Sequence, residues 1–325
     1  MPLGSAKAKA HANIAFIKYW GNRDHDLRLP SNPSLSMNLD GLYTTTTVRW
    51  SRALAHDSLR LNGQETTGSA LERVSQHLTH IRRRLNLAAH ARVETENNFP
   101  TGAGIASSAA AFAALTVAAV GAAGVTLDER DLTILARLGS GSAARSVPTG
   151  FVQLHAGDTH ENAYAESVAL PDHWNLVDVI AIVSQEHKEI GSTAGHRSAE
   201  TSDLQAARMA GAEARLAQCR KALRGRNFAA FADVVELDSN LMHAVMMTSR
   251  PPLMYWQPGS LAVMTQVRRW RADGLRVCYT LDAGPNVHCI CVRDDAEEVR
   301  AGLKKLSEVL EVRTAAPGGP AVLLS

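Results

Sequence analysis

Five short segments of this 325-residue chain bring together hydroxyls, glycines and charged groups, the mixture that anion and phosphoryl chemistry requires. The strongest is residues 97–109, Asn-Asn-Phe-Pro-Thr-Gly-Ala-Gly-Ile-Ala-Ser-Ser-Ala, between a strand pattern and a helix pattern. Pro100, Gly102, Gly104 and Ala106 let the backbone approach a ligand, the helix start offers free N–H groups, and Ser107 and Ser108 add hydroxyl donors. Its plain alternative is a glycine loop with a serine cap, and no Gly-Lys-Ser/Thr follows to make a Walker loop. Residues 139–146, Gly-Ser-Gly-Ser-Ala-Ala-Arg-Ser, place Ser140, Gly141 and Ser142 beside Arg145, whose guanidinium can hold a carboxylate or phosphate through two parallel bonds; the alternative is a flexible linker.

Three further segments carry single charged groups. Asp282 ends an apolar strand before Ala-Gly-Pro-Asn and suits either a general base or a turn cap. Lys18 closes a buried strand ahead of Tyr19, Trp20, Gly21, Asn22 and Arg23; a buried ammonium is costly without a partner, and Asp282 is the candidate partner. The other reading is a lysine that reaches water along its stem. Residues 187–195 offer His187, Lys188, Ser192 and Thr193 after a strand, either to phosphates or as an ordinary polar loop.

The elements that must position these groups follow from periodicity. Residues 6–18, 44–50, 58–61, 91–95, 177–183, 277–281 and 287–292 read as strands, with 58–61 expected beside 44–50. Residues 69–87, 128–138, 202–223, 227–247 and 260–272 read as helices. Residues 30–38 and 139–150 read as loops. The pattern weakens at residues 157–175, which sets the expected parts at 1–170 and 171–325 of an α+β fold.

Composition excludes several classes. A net charge of +2 is too small for a nucleic-acid or anionic-membrane binder, so an anionic ligand must be held locally. Residues 105–125 are apolar enough to suggest a membrane span, but their Ala/Gly/Ser content fits a helix packed inside a protein. Four cysteines without a disulfide-type spacing and no signal-like N-terminus point to a reduced, cytoplasmic setting. His288, Cys289 and Cys291 resemble metal ligands, but strand geometry makes the two cysteines same-face core residues, so no protein metal site is expected. Arg82, Arg83 and Arg84 read as a solvated helix face.

The five segments, in this order from residue 13 to residue 286, resemble the signatures of the mevalonate diphosphate decarboxylase family within the GHMP kinase superfamily: Asn-Ile-Ala-Phe-Ile-Lys-Tyr-Trp-Gly, the phosphate loop, Gly-Ser-Gly-Ser-Ala-x-Arg-Ser, Gly-Ser-Thr-x-Gly and Asp-Ala-Gly-Pro-Asn. The resemblance implies a two-part fold with a cleft between the halves. It implies ATP-dependent phosphorylation of the C3 hydroxyl of a 5-phosphorylated mevalonate, followed by loss of phosphate and carbon dioxide, with Mg²⁺ accompanying ATP. By the same resemblance Asp282, Lys18 and Arg145 are catalytic. Tyr19, Asn22, Arg23, Ser140, Gly141 and Ser142 surround the substrate, and Pro100, Gly102, Gly104, Ala106, Ser107, Ser108 and Ser192 serve ATP. Proteins that it resembles are commonly homodimers. Two departures stand out: Asn22 where the family has lysine, with Arg23 as a possible substitute cation or a 5-monophosphate as the substrate, and His196 where methionine is frequent. The competing readings are a kinase of the same superfamily that stops after phosphorylation, and a silent nucleotide binder; retention of Lys18, Arg145 and Asp282 together argues against both.

Overall fold

The computed structural model describes residues 4–99, 107–186 and 191–325. In chain order the elements begin with β1 (Ser5–Ile17), β2 (Asn22–Asp24), β3 (Leu29–Pro30), β4 (Ser34–Ser51), β5 (Ser58–Leu61), β6 (Gln64–Thr66), α1 (Ser69–Leu85) and β7 (His90–Asn97). They continue with α2 (Ser107–Ala122), α3 (Glu129–Gly139), a 3-10 helix at Gly141–Ser146, β8 (Phe151–Leu154), β9 (Ala165–Ala169) and β10 (Leu176–Ile182). The last third holds α4 (Ser192–Ser198), α5 (Gln205–Ala210), α6 (Ala212–Arg224), α7 (Phe228–Thr248), α8 (Pro258–Ala272), β11 (Val277–Thr280), β12 (Val287–Val292), α9 (Ala296–Leu303), β13 (Glu311–Ala315) and β14 (Val322–Leu324).

Among the described residues, one sheet runs β14-β1-β4-β7-β5-β6, with β8 and β9 joined through β4, and a second runs β11-β12-β10-β13. The second sheet is antiparallel throughout. The expected part 171–325 holds this second sheet, while its last strand, β14, pairs with β1 in the first.

Three apolar layers result. Ala8, Ala10, Val48 and Trp50 pack under α1, α2 and α3. Ile14, Phe16, Leu35 and Met37 pack instead with α6, α7 and the inner face of the second sheet. This changeover along β1 coincides with its register shift against β4 between His11 and Ala12. The outer face of the second sheet is closed by α8 and α9. The small side chains of α2 let its backbone come close enough for the Trp50 indole to donate to the Ala119 carbonyl at 2.8 Å.

Several expectations need correction. Residues 30–38 are not a loop: β4 begins at Ser34 and pairs with both β1 and β8. Its polar start hid it, because Ser34, Ser36 and Asn38 are buried and bonded to partners distant in sequence. Strand 58–61 is not beside 44–50; β7 lies between them and pairs with β5 in parallel. The helix expected over 202–223 breaks at Gly211, where a Cβ would stand 2.5 Å from the Arg215 guanidinium. The loop expected at 139–150 contains the 3-10 helix. Arg82 is not solvated: it holds the buried Asp57 through two contacts of 2.9 and 3.1 Å. Strands β6, β8, β9, β13, β14 and helix α9 are too short or too polar for periodicity to show.

Phe231 sits where the layers meet, edge-on to Phe16 at 4.9 Å and to Trp174 at 5.2 Å. Phe231→Ala should cost about 3–5 kcal/mol in urea unfolding, because rigid neighbours on three elements cannot collapse into the cavity. A loss below about 1 kcal/mol would show that the two sheets do not share this core.

Candidate active site

The two sheets meet chemically at the ends of β1 and β11. Lys18 follows β1 and is 1% exposed, and its ammonium donates to Asp282 Oδ1 at 2.7 Å. Asp282 follows β11 and keeps a quarter of its side chain open to solvent. Burial alone raises a carboxylate pKa; here Lys18, His288 and Arg145 outweigh it and hold Asp282 below its ordinary value. Burial pushes the Lys18 ammonium down, and Asp282 pulls against that. The turn after Asp282 is braced from both sides. Asn286 Oδ1 accepts from the Val183 and Ser184 N–H groups at 2.8 and 3.2 Å, and Ser260 Oγ donates to the Pro285 carbonyl at 2.6 Å.

Arg145, in the 3-10 helix, is buried with its guanidinium aimed at Ser34 Oγ (2.7 Å) and Asn13 Oδ1 (3.2 Å). Burial lowers its pKa to about 10, so it remains a cation at neutral pH, while Asp282 and Tyr19 raise it. Its Nε is buried with no partner among the described protein groups. Asn13 also donates to Ser146 Oγ at 2.8 Å and to the Ser142 carbonyl at 3.2 Å, tying the 3-10 helix to β1. Sequence reasoning missed Asn13 and Ser34 as site residues. Asn13 opens the signature stretch, but Ser34 carried no local signal.

Ser140 Oγ lies 3.2 Å from Ser142 Oγ and 3.3 Å from Ser108 Oγ. The start of α2 therefore reaches the Ser140–Ser142 segment. Gly141 is required by contact: a Cβ there would stand 2.3 Å from the Tyr19 ring. Tyr19 is buried, its pKa pushed up to about 12, with Arg28, Arg137 and Arg145 near enough to oppose the shift. Arg28 donates to the Leu138 carbonyl at 3.0 Å, and Arg137 to the Ala163 carbonyl at 2.9 Å. Neither arginine was singled out from the sequence, since each sits alone among ordinary residues.

Asn22 is buried, and its Oδ1 accepts the Tyr19 hydroxyl. Arg23 does not join this group. Its guanidinium contacts Asp158 at 3.2 Å and donates to the carbonyls of Ala156 and Gly157. Arg23, the substitute cation that the sequence offered, has these oxygens as its partners in the structure. His196 lies between the rings of Tyr19 (4.3 Å) and Trp20 (4.5 Å) and accepts from the Gly21 N–H at 3.0 Å. Ser107 and Ser192 open α2 and α4. Pro100, Gly102, Gly104 and Ala106, with His187 and Lys188, lie outside the described residues. His288 pairs with Asp178 at 2.6 Å, and Cys289 and Cys291 sit in the core; among the described residues no group of three His, Cys, Asp or Glu is arranged to hold a metal.

Burial lowers the pKa of His196, His77 and His243 to about 3 each. All three are neutral in the fold, and the unfolded chain binds their protons near pH 6.5. Stability is thus full above about pH 6.5 and falls as pH drops from there toward 3, by about 1.4 kcal/mol per pH unit per histidine. His196→Met should reduce the slope of unfolding free energy between about pH 6 and pH 5 by about one proton. An unchanged slope would mean that His196 is already protonated in the folded protein.

Two domain descriptions match the sequence: a diphosphomevalonate decarboxylase-like N-terminal domain over residues 10–165 and a mevalonate 5-diphosphate decarboxylase C-terminal domain over residues 178–317. The diphosphomevalonate decarboxylase of Bos taurus is 39% identical in an alignment 329 positions long that covers 93% of this chain and 80% of that protein. A solved structure described as MDDEF in complex with MVAPP, AMPPCP and magnesium superposes with a TM-score of 0.94 at 35% identity, covering 100% of both chains. The mevalonate diphosphate decarboxylase of Staphylococcus aureus superposes with a TM-score of 0.94 at 32% identity, covering 100% of this chain and 99% of the other. With both domains matched in order and more than nine-tenths of its length aligned to such relatives, this chain belongs to the diphosphomevalonate decarboxylase family.

Proposed function

We propose that this chain is an ATP-dependent carboxy-lyase that converts mevalonate 5-diphosphate to isopentenyl diphosphate, ADP, phosphate and carbon dioxide, a step of isoprenoid formation from mevalonate. The observation that carries this reading is the 2.7 Å Lys18–Asp282 pair in a site that also holds a buried Arg145. A kinase needs the first feature; orienting a carboxylate that must leave needs the second as well.

Asp282, held ionised, orients the C3 hydroxyl and accepts its proton as the oxygen bonds to the γ-phosphorus and the bond to ADP breaks. Lys18 keeps the carboxylate charged during that transfer. The C3–O bond then breaks, with its electron pair leaving on phosphate. The electrons of the bond to the carboxylate become the C=C bond, and carbon dioxide departs. Arg145 holds that carboxylate in line for the cleavage. Ser140, Gly141, Ser142, Tyr19 and Asn22 surround the phosphate tail. Ser107 and Ser108, at the start of α2, are assigned to the ATP phosphates by family likeness and by the free N–H groups of a helix start. The donors here are hydroxyls and one carboxylate, which suits Mg²⁺ held mainly by the phosphates of ATP, where it offsets their charge. The four cysteines are free and buried, which fits a reducing, cytoplasmic setting. Family likeness supports a homodimer.

A second reading concerns the tail. Asn22 replaces a lysine and Arg23 is engaged elsewhere, so one cation that would favour a diphosphate over a monophosphate is absent. Arg28 and Arg137 still place positive charge near Tyr19. Asn22 therefore loosens the preference without abolishing it. Product analysis with ATP, Mg²⁺ and each substrate should give isopentenyl diphosphate from the 5-diphosphate at the higher kcat/KM, with measurable isopentenyl phosphate from the 5-monophosphate. Asn22→Lys should raise the diphosphate-to-monophosphate ratio by about one to two decades. ADP without carbon dioxide from either substrate would replace the decarboxylase with a kinase, and an unchanged ratio in Asn22→Lys would remove Asn22 from tail selection.

A further inference from the structure

The main chain around Lys18 is gripped by groups that make no contact with the Lys18–Asp282 ion pair itself. The Lys18 N–H donates to Asp238 Oδ2 at 2.6 Å. The Lys18 carbonyl accepts from Arg208 Nη2 at 2.7 Å and from Asn32 Nδ2 at 2.8 Å. Arg208 also reaches the Trp20 carbonyl at 3.3 Å and Asn32 Oδ1 at 3.2 Å. Arg215 Nε donates to Asp238 Oδ1 at 2.7 Å, and its Nη2 donates to the Arg208 carbonyl at 2.7 Å. Asp238 is fully buried, Asn32 and Arg208 nearly so. These buried charged groups converge on the main chain at the end of β1, with both the N–H and the carbonyl of Lys18 among their partners.

The network also explains two local features. The helix break at Gly211 lets Arg215 fold back on α5, since a side chain there would strike its guanidinium. Gly21 turns with φ +93, which brings the Trp20 carbonyl to Gln205 Nε2 at 3.3 Å. Helices α5, α6 and α7 thus all bear on the segment that ends β1.

We infer that Arg208, Asp238, Arg215 and Asn32 are positioning residues for Lys18: they fix its main chain so that its ammonium meets Asp282, and through it they set the geometry of phosphoryl transfer. This rests on the roles proposed above for Lys18 and Asp282. Lys18 is 1% exposed, so packing along its stem limits the rotamers that could absorb a displaced Cα, and the shift is passed to the 2.7 Å contact. Asp282 would then be left to its remaining neighbours, His243 on α7, His288 on β12 and Arg145 in the 3-10 helix, with its carboxylate less firmly ionised.

Arg208→Lys, which keeps the charge but loses the fork, and Asn32→Ala, which removes one donor, are compared with wild type and Lys18→Met. The readouts are thermal melting, kcat, KM for both substrates and the pH profile of kcat. The inference predicts a kcat lower by about 100-fold in Arg208→Lys and less in Asn32→Ala, with KM values within about threefold. It also predicts that the acid limb of the profile moves to higher pH in both, because a carboxylate that loses its ammonium needs a higher pH to ionise. A lowered melting temperature with unchanged kcat and an unmoved acid limb would make the network merely structural and overturn the inference. Should Arg208→Lys not fold, Asn32→Ala carries the same test. An active Lys18→Met would instead overturn the proposed mechanism itself, which separates the two failures.

Discussion

A lysine ammonium almost without solvent exposure is tolerable only beside an anion, and in this chain the anion comes from 264 positions away. Removing either partner of such a pair leaves an uncompensated buried charge, a penalty of about 3–5 kcal/mol. The first sheet supplies the cation and the second the carboxylate, so the fold brings the two together only when both sheets, with α6 and α7 between them, are correctly packed. The proposed mechanism uses the same pair, because a carboxylate kept ionised is a ready proton acceptor for a hydroxyl brought beside it.

Around this pair the structure uses backbone and small side chains where phosphates must come close. Gly141 lets Tyr19 lie against the 3-10 helix, and the Ser108–Ser140–Ser142 hydroxyls form a continuous polar line from the start of α2 to that helix. Positive charge is held back from water: Arg145 and Arg137 both have pKa values lowered to about 10 by burial yet remain cationic. Partly desolvated cations of this kind interact more strongly with an incoming anion than they would at the surface.

Much of this was legible in the sequence because the site is assembled from short motifs whose residues are chemically marked. A lysine ending an apolar strand and an aspartate opening Ala-Gly-Pro-Asn announce a partnership even though nothing local shows the distance between them. The long amphipathic α1 and α7 and the alternating β7 also declared themselves by period. Other parts did not. The start of β4 is a strand made of serines and asparagine, whose buried polar groups are satisfied by residues more than a hundred positions away. The acceptors of Arg23 are main-chain carbonyls at residues 156 and 157, which no side-chain pattern reveals. Arg208 and Asp238 lie on helical faces that look like ordinary charged surface, and only the packing of α5 to α7 against β1 turns them inward.

In the proposed mechanism Asp282 acts in the phosphoryl-transfer step, before carbon dioxide is lost. A single-turnover experiment on Asp282→Asn, with enzyme in excess over mevalonate 5-diphosphate and both ADP and carbon dioxide followed in time, tests this most directly. ADP and carbon dioxide should be slowed together, by about 100-fold or more, because neither can form until the hydroxyl has attacked. ADP appearing at the wild-type rate, with only carbon dioxide delayed, would place Asp282 after the transfer and contradict it.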